Sequence, residues 1–533
     1  MNRKIRFYYW YILSSIKRHP RLFISIIPLL IFIWVSFNYA YPVYVLPLSS
    51  QVEKNLSHQY YSEGIIGSPS VLNPLFSTAD VEKDINRLVY RGLVKTSVTG
   101  EAVPDLAEKF EIQNDREYIF YLKKDVYWHD GQKFTADDVV YTIQLAQNPN
   151  LETLYKETFK DVEVSKIDDY TVKFKLKESF VPFPTIITIG IIPKHIPLNN
   201  FKPVGTGIFK VKETASDHVT LTKNGFDLTF KFYPSYDLAI QALKLGEIQG
   251  LGGVTAADKK VFERWPNFKA YSQPIYRRYV GIFLNTKSTT LSERGVRQAL
   301  AYATPTDEII KNIVNSSSQP LYSPISPASW AKADDLKKYT LNLDKAKDLL
   351  DKAGWKLEGD TRKKDGKELS ISISTVGIYP YPEVTKVVLE SWKKLGIKVE
   401  TRIFNSSDLK EQVVSRRQFD ALITSQEINP DPDQYVLWHS TQTENANITG
   451  LSVPKIDKAL EDARKSTDSK VRRDKYNDFQ KYFLDEVPVI FLYIPSYNYI
   501  LSSRVENFNF KDFTVPSDRF NNIENWTVEK RGL

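Results

Sequence analysis

The stretch VYWHDGQKFTADDVVYTI, Val126 to Ile143, brings Trp128, His129, Asp130, Asp137 and Asp138 within eleven residues. A histidine among carboxylates is the raw material of a metal centre or an acid–base site. A metal centre needs at least three converging His, Asp, Glu or Cys ligands. The six histidines, His19, His58, His129, His195, His218 and His439, never come closer than 23 residues to one another. There is no cysteine, and no Gly-x-Ser-x-Gly, His-Glu-x-x-His or P-loop pattern.

The same residues have a structural explanation. Asp130-Gly131 between an apolar alternation and a polar run signals a hairpin turn. Val126 and Trp128 fall on one face of the incoming strand. Thr135 stands three residues before Asp138, a capping-box spacing that puts Asp137 and Asp138 in the first turn of a helix. His129 is expected beside the turn, in solvent. The acid pair Asp168-Asp169 likewise reads as a turn, where short acids bond the local backbone. The stretch is a corner, and an enzyme is not expected.

The elements that would position such a corner alternate along the chain with no repeat period. Phe110–Gln113, a turn at Asn114-Asp115 and Tyr118–Leu122 form one expected hairpin. Val162 and Val164, the Asp168-Asp169 turn and Tyr170–Leu176 form another, with Tyr170, Val172, Phe174 and Leu176 on one face. Further on, Ser292 is expected to cap a helix with Val296, Leu300 and Ala303 on one side. Thr306 is expected to cap Asp307–Lys311. The helix Asp344–Ala353 should stop at Gly354, and 456–463 and 470–483 read as amphipathic helices. This mixture implies an α/β fold with more than one sheet.

At 533 residues the chain exceeds one core, and it allows about three domains. Aromatic residues make up 13%, enough for a heavy core or an aromatic cleft. Six of the net +8 charges are Arg3, Lys4, Arg6, Lys17, Arg18 and Arg21, and no acid precedes Glu53. The remainder is near neutral, with no basic stripe for nucleic acid. Residues 22–41 are uncharged and mostly apolar, about 30 Å as helix, and are expected to cross a bilayer once. The flanking positives place residues 1–21 in the cytoplasm and the body outside. Asn38-Tyr39-Ala40 is a poor cleavage site, so the anchor is expected to stay. Without cysteine there is neither a lipid tether nor a disulfide. Residues 42–54 read as a linker.

Tyr118 to Val139, with its Tyr-x-Phe-x-Leu strand, aromatic-x-Asp-Gly and Thr-Ala-x-Asp-Val, resembles the signature of the family 5 extracellular solute-binding proteins, the oligopeptide and dipeptide receptors of ABC importers. Other motifs agree in order: Asn73-Pro-Leu75, Pro104–Ala107, Ile192–His195, Pro203–Phe209, Phe283–Thr286, Val296–Ala303, Ala353-Gly-Trp355, Leu395–Val399 and Asp431-Pro-Asp433. The likeness spans about residues 60 to 530.

The resemblance implies a two-lobed fold like that of type II periplasmic binding proteins, with an extra domain. Lobe I would take 55–89, 196–285 and 500–533, the extra domain 90–195, and lobe II 286–499. It implies a cleft that closes on a peptide and delivers it to an ABC permease in the membrane. The implied ligand-facing residues are Val71, Leu72 and Asn73; Gly205, Thr206 and Gly207; Tyr276, Arg277 and Arg278; and Ser425, Gln426, Glu427 and Asn429. Family peptide binders carry a Trp and an Asp shortly before the Asp-Pro-Asp loop, the Asp meeting the peptide's α-ammonium. Here those positions read Ser425 and Ile428, and Glu427 is the neighbouring carboxylate. A buried ammonium needs a paired anion, so this departure bears on the ligand. An oligosaccharide or another small solute, and a sensor without transport, are the alternatives. No metal or other cofactor is expected.

Overall fold

Two mixed sheets organise the protein, and the candidate cleft lies where the ends of their inner strands meet. The computed structural model describes Phe32 and residues 58–153, 155–314, 318–444 and 446–529. The expected cytoplasmic segment 1–21, the linker 42–54 and, Phe32 apart, the expected span 22–41 lie outside the described residues. Among the described residues no helix is long and apolar enough to cross a membrane.

The first sheet has seven strands in the order Phe268–Pro274, Ser496–Ser502, Gly250–Gly252, Gln59–Ile66, Phe226–Tyr233, His218–Lys223 and Lys210–Thr214. Gln59–Ile66 runs parallel to both its neighbours, Phe226–Tyr233 and Gly250–Gly252. Helices are needed to return the chain between parallel strands, and Tyr236–Leu245 does so between these two. Ser235 caps its start and Gly246, at φ +75°, ends it.

The second sheet has six strands: Gln319–Pro320, Val489–Ile494, Arg278–Leu284, Ala421–Glu427, Ser370–Val376 and Lys398–Phe404. Ser370–Val376 is parallel to both of its neighbours. The helix Tyr381–Lys393 links it to Lys398–Phe404 in a βαβ unit. Val489–Ile494 is buried at every position, as a strand covered on both faces must be. Separate apolar clusters centred on Trp392 and on Trp438 pack against this sheet.

The chain passes between the sheets at residues 275–277 and again at Pro495. Both positions correct the expected lobe boundaries at 285 and 499. Arg278–Leu284 is an apolar central strand of the second sheet, paired with Ala421–Glu427, and Ser496–Ser502 is paired within the first.

A four-stranded antiparallel sheet follows the order Ala107–Gln113, Glu117–Leu122, Thr171–Leu176 and Val162–Asp168. Both expected hairpins are present. Asn114 and Asp115 make the first turn at φ 51° and 57°, values these short polar residues tolerate best among non-glycines. Val172, Phe174 and Leu176 point inward together. The apolar face of this small sheet joins the same core as the first large sheet.

Most expected helices form: Leu343–Lys352 ends before Gly354 at φ +85°, and Pro454–Lys465 and Ser469–Glu486 pack as a pair. Two expected caps do not. The helix Arg294–Tyr302 has Glu293 at its N-cap, while the Ser292 hydroxyl donates back to the Thr289 carbonyl. Thr306 is itself helical, with Pro305 ahead of it.

Candidate functional site

The opening stretch is a joint. Tyr127 and Lys133 bridge across the Asp130-Gly131 turn, and Val126 and Trp128 are buried. The Thr135 N–H donates to Asp138 at 2.9 Å, as the capping spacing requires. Asp138 also accepts from the Lys194 N–H at 2.9 Å and the Trp128 indole at 3.4 Å. Burial raises its pKa, and those hydrogen bonds oppose the rise. Asp137 is held low by Lys166 and Lys194.

His129 is not in solvent, contrary to expectation. Its Nε2 meets the Gly207 carbonyl at 2.9 Å and its Nδ1 accepts from the Gly205 N–H at 3.3 Å. Burial lowers its pKa, only partly offset by the Gly207 carbonyl. Gly205, Thr206 and Gly207 therefore belong to this joint and not to a cleft. A Cβ on Gly205 would lie 1.8 Å from the Val89 carbonyl oxygen, and one on Gly207 2.2 Å from that of Leu88. The glycines let this loop lie against the end of the helix Asp80–Val89.

Between the two large sheets lies a cavity of about 530 Å³. From the first lobe it is lined by Gly64 to Ser68 at the end of the Gln59–Ile66 strand, by Asp80 and Asp84, and by Tyr497 and Arg519. The second lobe contributes Arg278, Tyr381 and Ser425, and the crossing segments contribute Ile275 and Pro495. A smaller cavity of about 280 Å³ shares Asp80, Asp84, Ile275 and Arg278 and extends to Lys83, Arg277, Glu427 and Ile428. The two adjoin through these shared residues and form one cleft.

Beneath it, Glu63 is fully buried inside its strand. It accepts from the Tyr61 hydroxyl, from the Tyr499 hydroxyl at 2.7 Å and from Arg519 Nε at 2.9 Å. Burial first, and then the charge of Glu63, push the Tyr61 and Tyr499 pKa values far up. Arg519 also donates to Asp84 at 2.6 Å. Burial works against its charge, but Asp84, Tyr497 and Glu63 outweigh burial and hold it protonated.

Of the residues implied by sequence, Arg277, Arg278, Ser425 and Glu427 line the cleft. Arg278 and Glu427 face each other in adjacent strands and form an ion pair. Burial would raise Glu427, but the Arg278 hydrogen bond and charge hold its pKa below the ordinary value. Arg277 is half-buried, and its loss of solvent lowers its pKa against the pull of Asp518.

Val71, Leu72 and Asn73 line neither cavity. The Val71 N–H donates to Glu82, the Leu72 carbonyl accepts from Tyr90, and Asn73 closes a local turn onto Leu75 and Ser77. Tyr276 packs on the second lobe's core, and Gln426 and Asn429 stand outside both cavities. Sequence reasoning missed Asp80, Asp84, Tyr381, Tyr497 and Arg519. Asp80 stands in the first turn of the helix Asp80–Val89 and Asp84 one turn further on, without a sequence motif to mark either, and Arg519 lies 435 residues from its partner Asp84.

The described residues hold no group of three or more His, Cys, Asp or Glu able to hold a metal ion.

The sequence matches the family model of bacterial extracellular solute-binding proteins, family 5 Middle, over residues 101–447. It is 32% identical over 500 residues to the oligopeptide-binding protein AppA of Bacillus subtilis, covering 88% of this chain and 91% of that one. It is 26% identical over 489 residues to the dipeptide-binding protein of Escherichia coli, covering 81% and 88%. The structure of B. subtilis AppA in complex with a nonapeptide matches with a TM-score of 0.72 at 30% identity, over 89% of this chain and all of that one. The fold is also shared with the ABC transporter substrate-binding protein CtaP of Listeria monocytogenes, at a TM-score of 0.79 and 23% identity, over 89% and 100%.

Proposed function

This chain belongs to the family 5 bacterial extracellular solute-binding proteins, and from that premise we propose that it is the peptide-binding component of an ABC importer. It captures a peptide between its lobes and hands it, unaltered, to a permease in the membrane. The observation that carries this reading is the cleft of about 530 Å³ between two lobes joined through only two crossing segments among the described residues. Two lobes so joined can hinge, and a ligand that contacts both stabilises the closed state by its differential affinity for it. Beyond Gly64 the strand Gln59–Ile66 is paired on one side only, with Phe226–Tyr233, and its other side offers backbone donors and acceptors that suit an extended peptide main chain. The peptide-binding names of relatives covering most of the chain support the same reading.

The body works outside the cytoplasm, held there by residues 22–41 as an uncleaved membrane anchor. The apolar run and its flanking positives support that arrangement. On this reading the protein extracted from membranes has the mass of the full chain, and loss of its first forty or so residues would refute the anchor.

Thermal-shift screening against a peptide mixture tests ligand capture. A peptide present at a hundred times its Kd stabilises the fold by about 2.7 kcal/mol, a clear rise in Tm. No rise with any peptide would overturn the reading.

A further inference from the structure

We propose that the cleft contains a cation subsite built on the first lobe by Asp80 and Asp84, and that it takes an alkylammonium group of the ligand. This rests on the peptide-binding reading above and names where the charge of that ligand goes.

Asp84 is 4% exposed and lines both cavities of the cleft. One of its oxygens accepts from Arg519 at 2.6 Å, and the other, Oδ1, is buried without a hydrogen-bond partner. Glu63 draws on the same guanidinium at 2.9 Å. Two buried carboxylates, Glu63 and Asp84, thus share the single Arg519 guanidinium in the cleft floor. A buried carboxylate oxygen without a donor is costly, and a cation arriving with the ligand supplies what is missing.

Asp80 lies one helical turn before Asp84 on the same face of the helix Asp80–Val89 and also lines both cavities. Its side chain is 62% exposed, and its ion pair with Lys83, at 3.6 Å, is too long for a hydrogen bond. The positive end of the helix would oppose a cation. There Glu82 intervenes, accepting from the Thr78 and Ala79 N–H groups at 2.8 and 3.1 Å.

The opposite wall offers no comparable group. Glu427 is committed to Arg278, and Ser425 and Ile428 carry no charge. The carboxylates open to an incoming cation are on the first lobe.

An ammonium can come from a peptide's amino terminus or from a lysine side chain. Calorimetric titration of the full chain with three short alanine peptides separates them: one with a free amino terminus, one N-acetylated, and one N-acetylated carrying a single lysine. The expected result is that acetylation weakens binding about tenfold to a hundredfold, the value of a charge-assisted hydrogen bond, and that Asp80→Asn removes the difference. Recovery of affinity in the lysine peptide, again lost in Asp80→Asn, also supports the subsite and assigns it to side chains. Equal binding of all three peptides by the unaltered protein would overturn the inference and leave the peptide reading standing. So would a preference that survives Asp80→Asn, or one removed by Glu427→Gln instead. Binding of none of the three, with no stabilising peptide in the thermal screen, would overturn both.

Discussion

His129 shows how a residue that looks chemical can be structural. Its neutral ring donates from Nε2 to Gly207 and accepts at Nδ1 from Gly205, an arrangement that a second proton on Nδ1 would destroy. Burial holds its pKa below the ordinary 6.5 in the folded chain, only partly offset by the Gly207 carbonyl. The folded state then binds fewer protons than the unfolded one, so stability is complete above the unfolded pKa and falls as pH drops from about 6.5 toward the folded value. Denaturant melts across this window should show that slope, and His129→Ala should remove the contribution. At pH 8 the same variant should lose about 1–3 kcal/mol, since two half-buried backbone groups lose their partner. The sequence identified this stretch correctly as a corner, because turn and capping signals are local. It placed His129 in solvent because the partners, Gly205 and Gly207, are more than seventy residues away, at 76 and 78 positions. The same glycines were assigned to the cleft because a glycine permits close approach without saying to what.

At the scale of elements, local grammar carried far. Both hairpins of the small sheet follow from alternation and turn residues, and the helix ending before Gly354 follows from its C-terminal glycine. What the grammar lacks is how elements meet. The small sheet shares the core of the first lobe, yet a loop that follows it and the turn of a separate two-stranded hairpin, Val94–Thr96 with Ala102–Pro104, both reach the second. The Val181 N–H donates to the Arg464 carbonyl at 2.9 Å, and the Arg464 guanidinium lies 4.6 Å from the Phe180 ring and 4.0 Å from Tyr435. The Ser97–Glu101 turn touches the Asp431-Pro432-Asp433 loop through Gly100, where a Cβ would come within 1.9 Å of the Pro430 carbonyl oxygen. Gly100 also has φ +96°, a region L side chains avoid. Gly100→Ala should cost about 1–3 kcal/mol from backbone strain and should loosen this bridge. Urea melts give the first, and faster hydrogen exchange confined to 97–101 and 430–435 gives the second. An unchanged midpoint would show that this contact does not hold the lobes.

At the scale of the whole molecule, the cleft is made from parts of the chain that no local pattern connects. Its floor joins Glu63, Asp84, Tyr499 and Arg519, and its far wall joins Arg278 with Glu427 across 149 positions. The family likeness implied two lobes and a cleft, and Arg277, Arg278, Ser425 and Glu427 stand at the cavities between the two large sheets. It could not foretell that the first lobe's contribution comes from the strand end at Gly64 to Ser68 and from Asp80 and Asp84, because those residues carry no signal beyond an ordinary strand and ordinary helical acids. The crossing points moved for a related reason. The apolar runs Arg278–Leu284 and Ser496–Ser502 fit either sheet by composition, and only their pairing decides.

The measurement that bears most directly on the account is native mass spectrometry of the protein extracted gently from its own membranes. The account predicts full-length chains carrying short peptides that dissociate intact on activation. Ligand-free chains that also refuse added peptides, or bound peptides that emerge cleaved, would contradict it.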